Sequence, residues 1–240
     1  MQSLLELQDL SIQAAKSVGN FLNQNRYSEK IIFSEEGRDI KLELDQIAET
    51  KLRKFLEQTK ISILGEEFGS TEESNLTWVI DPIDGTANYY RNLNECCISI
   101  ALLENTKGLI GTIYNFNTDE LYTASKGNGA KFNNMPMNVS SISSRDKAII
   151  STGFPSSEPF ESSVKFLEGL REWKKVRMFG SAALSCAYVA SGRCDYYAEK
   201  GVYLWDFAAG ICLVEEAGGK ADFSTIDSGR YSVKFSNNFL

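Results

Sequence analysis

From Ala148 to Phe223 short strand-like runs alternate with helix-length stretches, and this rhythm constrains the fold more than any other feature of the chain. Ala148-Ile149-Ile150 reads as a strand and Phe160 to Trp173 as a helix. Val176 to Phe179 is a strand, Ala182 to Ala190 a small-residue helix, and Asp195 to Ala198 a strand. Asp206 to Ala217 is a helix, and Lys220 to Phe223 a final strand. Such alternation builds layered α/β structure.

The first half has a different rhythm. Leu4, Leu7, Ser11, Ala14, Val18 and Phe21 recur at steps of three and four, which predicts an amphipathic opening helix. A second helix is predicted from about Leu44 to Phe55, with Ile47, Ala48 and Leu52 on one side. Ile61 to Leu64 and Thr77 to Ile80 read as strands. Cys97 to Leu103, Leu109 to Tyr114 and Glu120 to Ala124, punctuated by Gly and Asn, predict an antiparallel meander. The polar stretch from Ser140 to Arg145 marks the boundary. It divides the 240 residues into an α+β half, 1–143, and an α/β half, 144–240.

Composition removes whole classes of chemistry. The chain has no histidine, which excludes Ser-His-Asp and Cys-His nucleophilic sites and His-ligated zinc together. Hydrolysis would have to use carboxylates, hydroxyls, Lys, Tyr, a thiol or a hard metal ion. The net charge of −7 argues against direct nucleic-acid binding. Five cysteines without a CxxC pair predict free buried thiols in a reducing compartment. No apolar stretch reaches the length of a membrane span. Met1 to Leu10 carries Glu6 and Asp9 and no basic residue, which argues against a secretion signal. The expected location is the cytoplasm.

Three acidic segments stand where apolar strands or helices begin or end. In Ile80-Asp81-Pro82-Ile83-Asp84-Gly85-Thr86, a strand ends and two carboxylates follow three residues apart. Pro82 fixes the backbone between them, and the Ile83 carbonyl lies between as a third oxygen, a set that suits a hard cation. Gly85 and Thr86 open a helix whose first N–H groups can hold a phosphate. The same residues also read as a plain Asp turn with Thr86 as helix cap. Gly65-Glu66-Glu67 follows another strand and, taken alone, reads as a solvated turn. Asp206, after Trp205, taken alone reads as a helix cap.

Together the three segments resemble the inositol monophosphatase family, the lithium-sensitive sugar and nucleotide phosphatases. Asp81-Pro82-Ile83-Asp84-Gly85-Thr86, Gly65-Glu66-Glu67, and Trp205-Asp206 with Glu216-Ala217-Gly218-Gly219 match its motifs in order. Gly180-Ser181-Ala182-Ala183 and Gly127-Asn128-Gly129-Ala130 match further positions. The resemblance implies an αβαβα sandwich of the sugar-phosphatase type, a homodimer, and two or three Mg²⁺ ions. It implies Glu67, Asp81 and the Ile83 carbonyl as ligands of one metal and Asp81, Asp84 and Asp206 as ligands of a second. Glu67 would also face a third metal position. Thr86, Asp45 and Glu67 are implied as catalytic residues, Thr86 and Asp45 being the pair that orients the attacking water. Gly85 and Thr86 amides would hold the phosphate, and Gly180, Ser181, Ala182 and Glu199 would meet the alcohol, with Glu67, Ile83, Asp84 and Asp206 also lining the substrate site.

The resemblance further implies hydrolysis of a small phosphorylated substrate, with inositol monophosphate first. A 3′(2′),5′-bisphosphate nucleotidase or another sugar phosphatase is the alternative, and a regulatory protein-binding role with dispensable catalysis is an alternative of another class. One stretch departs from the family pattern. Asp39-Ile40-Lys41-Leu42-Glu43-Leu44-Asp45 aligns its aspartates but has Leu42 where the family has threonine and Lys41 where it has valine. The departure bears on the substrate-side loop and leaves the main ligand set intact.

Overall fold

The computed structural model describes residues 2–36, 39–72, 74–154, 159–227 and 229–240, with the backbone alone for 35, 36 and 39–41. The side chains of Asp39 and Lys41 therefore lie outside the described residues. The chain opens with α1 (Leu4–Gln24), a hairpin of β1 (Ile32–Glu36) and β2 (Asp39–Leu42), and α2 (Glu43–Leu56). Then come β3 (Ser62–Gly65), β4 (Gly69–Ser70), β5 (Leu76–Asp84) and the short α3 (Thr86–Tyr90). A meander follows: β6 (Cys97–Glu104), β7 (Lys107–Asn115), β8 (Glu120–Ser125), β9 (Ala130–Phe132) and β10 (Met135–Met137). The second half holds β11 (Ile149–Thr152), α4 (Phe160–Gly169), β12 (Lys175–Arg177), α5 (Ala182–Ala190), β13 (Tyr196–Tyr203), α6 (Leu204–Glu216), β14 (Lys220–Asp227) and β15 (Arg230–Ser236).

The strands form two main sheets. The larger has eight strands in the order β10-β9-β8-β7-β6-β5-β3-β4, and the smaller has five in the order β12-β11-β13-β15-β14. In the large sheet only β3 and β5 run parallel, pairing Ser62 with Thr77 and Gly65 with Ile80. The expected meander from Cys97 to Ala124 is present. The helices expected around Leu4–Phe21, Leu44–Phe55 and Ala182–Ala190 are also present.

Both faces of the large sheet are covered, so its central strands are buried along most of their length rather than at alternate positions. Trp78, Ile80, Ile98, Ile100 and Leu102 point to α1 and α2, where they meet Ala14, Val18, Leu22 and Leu52. Val79, Cys97, Ala101 and Leu103 point the other way, into a core shared with α5, α6 and Phe235 of the small sheet. The close approach of α6 depends on Gly111 in β7, where a Cβ would stand 2.3 Å from the Ala209 carbonyl oxygen. The layer order is helix, sheet, helix, sheet. The crossover from β11 to the parallel β12 carries α4, the last helix layer of the αβαβα sandwich.

Residues 138–148 join the two sheets and carry no helix or strand. One core spans both sides of that connector, so the halves 1–143 and 144–240 stand as a proposed division. Among the described residues no helix is long and apolar enough to cross a membrane.

Several local expectations differ from the structure: the strand expected over Val176–Phe179 ends at Arg177, the one expected over Asp195–Ala198 runs on to Tyr203, and three more differences follow. Ile47 is 37% exposed, and the buried face of α2 is Asp45, Ala48, Glu49, Leu52, Arg53 and Leu56. The carboxylates of this stripe are satisfied by hydrogen bonds, which is why charge rather than Ile47 faces inward. The strand before Pro82 does not stop there, since β5 continues to Asp84. The helix expected from Phe160 to Trp173 ends at Gly169 and tightens into a 3₁₀ turn over Leu170–Glu172.

Candidate metal centre and active site

The site forms at the carboxyl end of β5. Side chains three residues apart on a regular strand point to opposite faces. Here Asp81 pairs with Ser99 and Asp84 with Cys97, so three steps on β5 match two on β6. This one-residue bulge, where Pro82 has no N–H to leave unpaired, turns Asp81 and Asp84 to the same side. Asp206 joins them from the first turn of α6. Oxygens of the three carboxylates lie within 4.8 Å of one another.

Each carboxylate is held. Asp81 Oδ1 accepts the Ile83 N–H at 2.9 Å. Asp206 Oδ2 accepts the Tyr203 N–H at 2.7 Å. Asp84 accepts from the Ser181 hydroxyl, from the Ala183 N–H at 2.9 Å and from the Ala182 N–H at 3.3 Å. Ser181 is also the N-cap of α5, its Oγ accepting the Leu184 N–H at 3.2 Å. The N-terminal ends of α5 and α6 therefore face the acidic cluster, and their dipoles favour negative charge there.

The second half of the site lies beside the trio. Thr86 Oγ1 is 2.9 Å from the Ile83 carbonyl oxygen and 3.3 Å from Asp45 Oδ1. Asp45 sits in the first turn of α2 and accepts the Leu42 N–H at 2.6 Å. Gly85, at φ 89°, precedes Thr86, and a Cβ there would stand 2.8 Å from the Glu95 carbonyl oxygen. Asn88 Nδ2, which the sequence reading passed over, reaches the Glu95 and Phe179 carbonyls at 2.7 Å each, tying α3 to the loop before Ser181. Glu199, on β13, accepts the Tyr197 hydroxyl at 2.9 Å.

The electrostatics follow from the crowding. Burial pushes the Asp81 carboxyl well above the usual range, and Glu66, Asp84, Asp206 and Asp45 push it further. Asp206 is raised in the same way, by burial and then by Asp84. Burial raises Asp84 to about 6, against the hydrogen bonds from Ser181 and Ala183 that lower it. Asp45 rises to about 8 and Glu199 to about 7, burial being the main cause of each. A buried group of carboxylates that repel one another is a poor resting state and a good cage for a divalent cation. The donor set, carboxylates plus the Ile83 carbonyl, is all oxygen, which fits Mg²⁺ rather than a thiophilic metal.

The sequence expectations fall into place unevenly. Asp81, Ile83, Asp84, Gly85, Thr86, Asp45 and Asp206 are brought together. The Ser181 hydroxyl and Ala182 amide, expected against the alcohol, are engaged with Asp84. Glu67 and its neighbour Glu66 both carry charge that acts on the site. The charge of Glu66 bears on Asp81, Asp206 and Asp45, and that of Glu67 bears on Asp45. The strand register places Glu66: β3 ends at Gly65, which pairs in parallel with Ile80, so Glu66 leaves the strand next to Asp81 of β5. Two adjacent glutamates cannot be told apart by motif alone, but this register separates them.

Residues 3–229 match the inositol monophosphatase family. A Xylella fastidiosa protein named Nus factor SuhB is 37% identical over 234 residues, covering 94% of this chain and 85% of the relative. A Thermotoga maritima fructose-1,6-bisphosphatase/inositol-1-monophosphatase is 34% identical over 239 residues, covering 97% and 89%. The crystal structure of the extragenic suppressor protein SuhB from Bartonella henselae superposes with a TM-score of 0.88 at 31% identity, over 98% of this chain and 95% of that one. Structures of a 26% identical Staphylococcus aureus inositol monophosphatase-II, bound to inositol monophosphate and to 2′AMP, superpose with a TM-score of 0.83, over 98% of this chain and 90% of theirs.

Proposed function

Since the chain belongs to the inositol monophosphatase family, we propose that it is a Mg²⁺-dependent phosphatase of small phosphomonoesters, with inositol monophosphate the first substrate to try. The observation that carries this reading is the carboxylate trio within 4.8 Å, with the Thr86–Asp45 pair beside it. Asp81, Asp84, Asp206 and the Ile83 carbonyl would hold the metal ions, with Glu66 taking the place given above to Glu67. When bound, Mg²⁺ supplies positive charge for the phosphate oxygens and acidifies water near neutral pH without a histidine.

The protein's own groups do the rest. The single hydrogen of Thr86 Oγ1 is shared between two acceptors, the Ile83 carbonyl and Asp45, which leaves the oxygen lone pairs to accept a hydrogen from the attacking water. Asp45, 3.3 Å from that hydroxyl, is placed to take up the proton. The water oxygen adds to phosphorus as the ester P–O bond breaks, the leaving alkoxide takes a proton from solvent water, and Asp45 returns its proton to solvent. The amides of Gly85 and Thr86, at the start of α3, orient the phosphate. Glu199 accepts a hydroxyl of the leaving alcohol, and its partner Tyr197 keeps its carboxylate in one orientation.

Phosphate release from inositol 1-phosphate, fructose 1,6-bisphosphate, 2′AMP and adenosine 3′,5′-bisphosphate tests the reading. It should require Mg²⁺, be blocked by Li⁺, and be fastest on the inositol ester. No release from any of the four with Mg²⁺ would sink the phosphatase reading. A nucleotide preference would move it to the nucleotidase branch.

A second reading, a regulatory protein-binding role, draws on relatives that carry the name Nus factor SuhB. An Asp84→Asn variant separates the two, because a cellular role that survives the loss of turnover belongs to binding. A homodimer is the proposed assembly. Phe160, Val164 and Leu167 form a stripe on α4 that is 78%, 38% and 42% exposed, and a second copy would cover it. Sedimentation that reports a monomer would remove that assignment. Five buried free cysteines agree with a reducing compartment, and the cytoplasm is the proposed location.

A further inference from the structure

Glu49 is fully buried, charged, and outside the carboxylate trio. A lone buried carboxylate is costly unless several donors meet it. Its Oε2 accepts the Glu67 N–H at 2.7 Å. Its Oε1 accepts the Phe68 N–H at 3.3 Å and Arg53 Nε at 2.8 Å. Arg53 then donates through Nη2 to the Gly69 carbonyl at 2.6 Å. The carboxylate also packs flat on Gly65, where a Cβ would stand 2.1 Å from Oε1. The turn from Gly65 to Gly69 is thus gripped on both sides of Glu66. The grip comes from Asp45-x-x-x-Glu49-x-x-x-Arg53, one face of α2 read at successive turns.

From this geometry we infer that Glu49 is a positioning residue for the metal centre: through the backbone of residues 65–69 it sets the Glu66 carboxylate against Asp81. The inference rests on the metal reading above. A side chain needed only to fill space between α2 and β3 would be apolar, like Ala48 and Leu52 on the same face. A carboxylate that accepts two successive amides fixes the direction in which the turn leaves β3. The parallel pairing of Gly65 with Ile80 then brings Glu66 out next to Asp81. Because the face that holds this turn also carries Asp45 one turn earlier, α2 places the water-handling carboxylate and the Glu66 turn as one rigid unit.

The test uses the full chain, with Glu49→Gln removing the charge and Glu49→Asp retracting it by one methylene. Mg²⁺ binding by titration calorimetry should weaken about 10-fold in both, the scale seen when groups that orient metal ligands are removed. The Mg²⁺ concentration for half-maximal phosphate release should rise by the same factor, with kcat at saturating Mg²⁺ retained within about threefold. Amide hydrogen exchange over residues 65–69 should quicken in the metal-free protein. Wild-type Mg²⁺ affinity in both variants, or unchanged exchange in that turn, overturns the inference. If neither variant folds, Arg53→Lys is read instead, since it loses the tether to Gly69 and should show the same direction of change at smaller size. A wild-type protein that binds no Mg²⁺ fails the metal reading instead, and the exchange measurement still reports on the grip.

Discussion

Ser181 and Asp84, 97 residues apart in sequence, share a hydrogen bond between a buried hydroxyl and a buried carboxylate. That hydroxyl also caps α5, so one oxygen closes a helix in the second half of the chain and fixes a carboxylate in the first. Ser181→Ala removes the cap and leaves Asp84 with fewer donors. The metal-free protein should lose about 1–3 kcal/mol in denaturant unfolding. Mg²⁺ should bind more weakly, as read by calorimetry. An unchanged unfolding midpoint would show that water replaces the hydroxyl without cost.

Thr86 tests the chemistry apart from the metal. Thr86→Val keeps the shape and removes the hydroxyl that stands between the Ile83 carbonyl and Asp45. Turnover should fall about 100-fold or more, the scale of a lost proton-handling group. Mg²⁺ affinity should stay within about threefold, because no carboxylate of the trio is touched. Equal losses in both would instead make Thr86 part of the metal support.

These expectations rest on features that the sequence shows unevenly. Strongly periodic elements were legible: α1 through its steps of three and four, and α5 through its run of small residues. The inner face of α2 was not, because hydrophobic periodicity cannot see a stripe whose buried members include Asp45, Glu49 and Arg53. The same blindness hid Glu49. The strand β15 was overlooked although Tyr231, Val233 and Phe235 alternate with polar residues, a period-two signal at the end of the chain. In the site, composition and motif located the trio. The bulge that aligns Asp81 with Asp84 and the register that pairs Gly65 with Ile80 are properties of strand pairing, set by neighbours distant in sequence.

The raised carboxyls set the pH response of the metal-free protein. A carboxyl whose pKa is higher folded than unfolded binds its proton more tightly in the folded chain. Raising the pH through that interval therefore costs stability, which is full below the ordinary value near 4 and lost toward the folded value. Asp84 at about 6, Glu199 at about 7 and Asp45 at about 8 place the loss between pH 4 and pH 8. Without Mg²⁺, and above any acid-unfolding limb, the melting temperature should fall steadily across this window. Saturating Mg²⁺ should flatten the upper part, because bound cations favour the ionised carboxylates. A melting temperature that rises from pH 5 to pH 8 without metal would contradict this account.

Asp81→Asn separates stability from function at the most crowded position. Asn keeps the size of the side chain and an oxygen to accept the Ile83 N–H, which now bonds Asp81 Oδ1 at 2.9 Å. It removes a buried charge that Glu66, Asp84, Asp206 and Asp45 all oppose. At pH 8 without Mg²⁺ the variant should therefore melt higher than wild type, by about 2–6 °C for a chain of this size. The order should reverse once Mg²⁺ is added, because wild type gains binding energy that the variant has lost. Activity should fall below detection at Mg²⁺ concentrations that saturate wild type. This crossing of the two melting curves is the signature of a site whose acidic residues are kept for metal binding at the expense of the empty fold. If Asp81→Asn instead destabilises the metal-free protein, the charge is compensated locally and the crowding argument fails.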